Sequence, residues 1–162
     1  MPASASPSTS ATWTLSTDGL GPLVLGTPYA TMLRQGYVVA DPSGDCRPWT
    51  VSPGLETNGV SVDFSGSDFM GTLYEVTIRT SKYATVSGAR VGMTLRQVRD
   101  IYTTRMAVES KMGDGGAFQV ASVRVGAKEL VFLFPWDDGA VDTALVTSIT
   151  TRPWSMEMHG GC

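Results

Sequence analysis

The sequence predicts an α+β fold: two tandem units, each a helix followed by three antiparallel strands, packed on a shared or abutting antiparallel sheet. Three observations lead there. The chain of 162 residues carries 42% apolar and 17% charged residues with a net charge of −3, which is one domain's worth of core with a sparsely charged surface. Helix starts recur at Gly26-Thr27-Pro28 and Gly92-Met93-Thr94, 66 residues apart. Strand-like runs recur at nearly the same offset: residues 60–64 lie 70 before 130–134, and residues 74–80 lie 71 before 145–151. A preserved element order with a slowly drifting offset is the pattern of a duplicated unit with loop insertions. The division expected is a linker over residues 1–12, a first unit over 13–87 and a second over 88–162. Units of this size are marginal alone, so the two should form one compact body.

The elements follow in order. Residues 1–12 hold only Met, Pro, Ala, Ser and Thr, too little apolar surface to offset ordering entropy, and this predicts a disordered linker. Such a spacer follows a removed secretion signal in exported chains; a disordered cytosolic tail has the same composition. A short strand is expected at 13–16. Thr27 as N-cap, Pro28 at the first helical position and Gly36 as terminator predict the first helix. A loop over 41–48 and strands at 49–51, 60–64 and 73–80 come next, the middle one with clean alternation. In the second half Thr94 is the natural N-cap and Gln97, three residues on, completes a capping box. Leu95, Val98, Ile101 and Tyr102 then share one helical face. Strands are expected at 118–125, 130–134 and 145–151, with 130–134 apolar throughout and so central.

Several classes of function are disfavoured by composition. Negative net charge argues against a nucleic-acid partner, which needs a basic face. No run approaches 18 apolar residues, so no transmembrane helix is expected. Two cysteines and one histidine fall short of a four-ligand zinc pattern, so neither metal nor cofactor is expected. His159 lies three residues from the C-terminus, a poor platform for a nucleophile's base. Asp137 and Asp138, followed by Gly139, read first as a hairpin turn. No catalytic residue is assigned.

The segments Leu25-Gly26-Thr27-Pro28 and Val91-Gly92-Met93-Thr94-Leu95-Arg96-Gln97-Val98, with Gly21-Pro22-Leu23-Val24-Leu25-Gly26, Cys46 and Gly161-Cys162, carry a resemblance. They look like the helix starts of extracytoplasmic domains in the β-lactamase-inhibitor-protein-like and outer-membrane-assembly-lipoprotein (BamE-like) group, as found in actinobacterial secreted proteins or lipoproteins. Thr27 stands where Met93 stands in the second copy, so the first copy departs more from the pattern. The resemblance implies an exported, extracellular or cell-envelope protein, of a group whose precursors include lipid-anchored ones. It also implies a curved sheet whose open face binds another protein.

Cys46 and Cys162 are an even pair in an export-like chain, which favours a disulfide, with two free thiols as the alternative. Closing a loop of over a hundred residues would stabilise by about 4–5 kcal/mol in the chain-entropy picture. The hairpin connections place Asp68, Phe69 and Met70 in one half and Trp136 and Asp137 in the other. In inhibitor-like relatives these tips enter a partner's cleft, so the resemblance marks Asp68, Phe69 and Trp136 as protein-binding residues. Folding back onto the core is the alternative for Phe69, Met70 and Trp136. Trp49 and Trp154, each next to a proline, fit either the core or the open face. The function expected is an exported non-enzymatic protein-binding module, an inhibitor of an extracellular enzyme or an envelope scaffold. The other reading is a small secreted hydrolase or ligand carrier with a pocket under the sheet.

Overall fold

Three buried leucines begin the fold. Leu15, Leu20 and Leu23 are all fully buried and sit on three short strands, β1 (Thr14–Ser16), β2 (Gly19–Leu20) and β3 (Leu23–Val24). The computed structural model describes residues 13–44, 46–113, 116–135 and 141–154. After β3 comes α1 (Tyr29–Arg34), one position later than expected, with Pro28 rather than Thr27 as the capping residue and no side-chain cap bond. Strands β4 (Val38–Ala40) and β5 (Trp49–Val51) pair with each other, and a second helix, α2 (Pro53–Thr57), follows directly. Its start is Ser52-Pro53, with proline at the first helical position where a missing N–H is harmless. Then come β6 (Val60–Phe64), β7 (Leu73–Ile78), β8 (Ala84–Thr85) and α3 (Leu95–Tyr102). The α3 start is the capping box expected, with the Gln97 N–H donating to Thr94 Oγ1 and the Thr94 N–H donating to Gln97 Oε1. The last strands among the described residues are β9 (Met106–Gly113), β10 (Gly116–Val125), β11 (Lys128–Pro135) and β12 (Ser148–Pro153).

These strands correct the expected fold class. The protein is mostly β, 47% strand against 18% helix, with three short helices and several sheets rather than two helix–β-β-β units on one sheet. The first half spreads over three sheets: β3-β2-β1-β8, the separate β4-β5 pair, and the β6-β7 end of a six-stranded sheet ordered β6-β7-β12-β11-β10-β9. The reason lies in run length. Two- and three-residue strands between Gly and Pro turns are too short to show a period, and β9 is exposed along nearly its whole length, so it lacks an apolar stripe.

What recurs is smaller than the unit expected. Gly26 and Gly92 both turn the chain with positive φ, 90° and 91°. The Gly26 N–H donates to the Leu73 carbonyl at 2.7 Å and the Leu73 N–H returns to Thr27 at 2.8 Å. The Gly92 N–H donates to Val146 at 2.9 Å and the Val146 N–H returns to Met93 at 2.8 Å. Four residues beyond Leu73 and Val146, Thr77 faces Thr150 across the β7–β12 ladder, with their hydroxyls 2.8 Å apart. A local two-fold through that threonine pair therefore relates the two turns.

One apolar cluster joins all of this, running from Leu15 through Met32, Leu55 and Phe64 to Val98, Phe132 and Ile149. Aromatic contacts tie α1, β5 and α3 to the six-stranded sheet: Tyr29 and Trp49 meet Phe64 edge-on, and Tyr102 packs tilted against Phe132.

Candidate functional site

Alternation in β6 sends Val60, Val62 and Phe64 into the core, so Ser61 and Asp63 point to the other face. The helices meet the sheet on the core side, through Tyr29 and Tyr102 among others. The opposite face carries the charged groups, and strand register sets them in a row.

Asp63 on β6 pairs with Glu75 on β7. The Val76–Thr151 pairing next door brings Glu75 beside Arg152 on β12. Arg152 pairs with Glu129 on β11, and Glu129 with Arg124 on β10. Five neighbouring strands thus contribute one charged side chain each. Arg152 Nε donates to Glu129 Oε1 at 3.0 Å, and Arg124 Nε lies 3.6 Å from Glu129 Oε2. Arg47 closes the other end, with Nη2 2.6 Å from Asp63 Oδ1.

Electrostatically the row is uneven. Asp63 and Glu75 are like charges directly opposite, an unfavourable cross-strand pair. Burial pushes the Asp63 carboxyl above the usual carboxylate range, with Arg47 and Arg79 pulling the other way. Burial also raises Glu75, the Asp63 charge adds to it, and Arg152, the Thr77 hydroxyl and Arg79 oppose it. Tyr74, on the bulge between them, has its phenol pushed up by burial and then by both acids.

An aromatic ring stands at each end of the row. The Arg47 guanidinium lies 5.9 Å from the Phe69 ring centre, and Arg124 lies 4.9 Å from that of Trp154. Of the residues expected to bind a partner, Phe69 is half-buried and holds a positive φ of 56°, a costly conformation for a bulky residue. That backbone is fixed by Trp49, whose Nε1–H donates to the Phe69 carbonyl at 2.8 Å. Asp68 shapes the same turn, its Oδ1 accepting from the Met70 N–H at 3.1 Å, and Met70 is 42% exposed. Trp154 is 47% exposed, whereas Trp49 is 4% exposed and belongs to the core, so its place among the partner-binding residues gives way to a supporting one behind Phe69. Trp136, Asp137, His159 and Cys162 lie outside the described residues. No free cysteine occurs among the described residues.

Arg47, Asp63, Glu75, Arg124, Glu129 and Arg152 escaped sequence reasoning. Only Asp63 had a signal, the alternation of residues 60–64; the others are joined by register alone.

A separate, mostly apolar hollow of about 220 Å³ lies between Leu15, Val86, Tyr102, Arg105, Val123 and Leu130. Typical small-molecule sites begin at roughly 300 Å³. Among the described residues, no three His, Cys, Asp or Glu side chains group so as to hold a metal ion. No family model, curated protein or solved structure matches the chain.

Proposed function

We propose that this is an exported, non-enzymatic binding module that receives another protein on the open face of its six-stranded sheet, at the cell surface or outside it. The observation that carries the reading is the five-strand charged row, whose Arg152–Glu129 pair is buried and whose ends each carry a partly exposed aromatic beside an arginine. Aromatic and arginine side chains are enriched among the residues that dominate interface energies. Charges fixed in a row select register and partner and steer the encounter. Asp68, Phe69, Met70 and Trp154 are the anchors in this reading, with Arg47 and Arg124 stacked on the two rings. An enzyme inhibitor and an envelope scaffold are two forms of the same activity. Export is supported by the linker composition, and the Cys46–Cys162 bridge belongs to the same proposal. Among the described residues, the hollow beside Tyr102 is what favours the ligand-carrier alternative, and that hollow is small.

The experiment is capture from the native culture fluid and envelope fraction on immobilised protein, using wild type, Phe69→Ala and Arg124→Glu in parallel. A species held by wild type and lost from both variants, with melting temperatures unchanged within a few degrees, is the expected result. Equal capture by all three proteins would exclude the open face.

A further inference from the structure

The edge of the six-stranded sheet opposite β6 is β9, eight residues long and without proline. Its outer backbone groups have no neighbouring strand among the described residues, since β9 pairs only with β10. Natural edges of this length are normally shortened, bulged or covered, because an open ladder is a template for another strand. This one carries exposed apolar side chains as well: Val108 is 37% and Met112 81% exposed.

The side-chain order along β9 is self-complementary. Reading outward from Ser110, Glu109 and Lys111 stand on either side, then Val108 and Met112, then Ala107 and Gly113. The geometry points to β9 as the seam of a homodimer, two copies pairing antiparallel about a two-fold axis at Ser110. In that register each Glu109 faces the other copy's Lys111, and each Val108 faces the other copy's Met112. An isologous contact requires this kind of patch that matches itself under rotation. Moving the axis by one residue sets Glu109 on Glu109 or Lys111 on Lys111, like charges directly opposite. Charge and apolarity therefore select a single register.

Alternation puts Val108 and Met112 on the core-side face and Glu109 and Lys111 on the open face. The two-fold runs perpendicular to the sheet, so both open faces look the same way and the six-stranded sheet doubles into one. Within one chain Lys111 Nζ lies 3.8 Å from Glu109 Oε2, with both side chains well exposed. Such a pair contributes little to the monomer's stability and is free to exchange partners. The dimer does not depend on the partner-binding proposal, because β9 is a different edge from the Arg47–Asp63 end.

Charge reversal tests it. Sedimentation of wild type over a concentration series should show a reversible monomer–dimer equilibrium. Glu109→Lys and Lys111→Glu should each weaken it by roughly tenfold or more, since two facing pairs change sign at once. An equimolar mixture of the two variants should dimerise again, because every lysine then faces a glutamate. The double variant Glu109→Lys/Lys111→Glu should behave as wild type. A strictly monomeric wild type, single variants that dimerise undiminished, or a mixture that stays monomeric would each overturn the proposal. Matching melting temperatures for all four proteins would show that folding is not what changed.

Discussion

Glu75 is a residue at which the charged row costs stability. Desolvation and then the facing Asp63 raise its carboxyl above the ordinary value, so the folded chain keeps that proton to higher pH than the unfolded chain. Between the unfolded and the folded pKa the native state binds more protons, and stability falls as pH rises through that window. The penalty is complete above the folded pKa and vanishes below the unfolded one. Glu75→Gln removes it. Calorimetry should find the variant more stable than wild type at neutral pH, with the difference shrinking to nothing as pH drops through the carboxylate range. A difference independent of pH would mean that the carboxyl titrates normally.

Among the elements, the two glycine turns have the same construction and should respond alike. A Cβ at Gly26 or Gly92 would meet nothing within 4 Å, so an alanine there is strained only through its positive φ. Gly26→Ala and Gly92→Ala should each cost about 1–2 kcal/mol in chemical denaturation. A large cost at one turn and none at the other would break the equivalence. How legible each element was in the sequence follows from how local its causes are. The α3 capping box needs only Thr94 and Gln97, and the β6 stripe only Val60, Val62 and Phe64, so both were legible. Helix α2 hid in the two-residue signal Ser52-Pro53, beside a strand that took the attention. Strand β9 was invisible because burial writes the period that sequence reasoning detects, and β9 is exposed. The charged row was beyond reach for a different reason: Asp63, Glu75, Arg124, Glu129 and Arg152 become neighbours only through hydrogen-bond registers spanning half the chain.

For the whole molecule, the picture is a mostly β body with one core, a helix-covered face and a second face bearing the charged row, buried at its middle around Glu129 and Arg152 and exposed at Arg124 and Trp154. The proposed Cys46–Cys162 bridge would tie the C-terminal segment to the loop before β5, and a thiol count on denatured, unreduced protein should find none; two would remove it. The central claim is that the open face is where a partner binds, and hydroxyl-radical footprinting of the captured complex tests it most directly. Tyr74, Met70, Trp154 and Phe118, which pairs with Lys111 and so shares its face, should lose reactivity on binding, while Val24, Leu33 and Val39, which are exposed but lie outside the six-stranded sheet, should react as in the free protein. Protection of Leu33 and Val39, with Tyr74 and Trp154 unchanged, would contradict it.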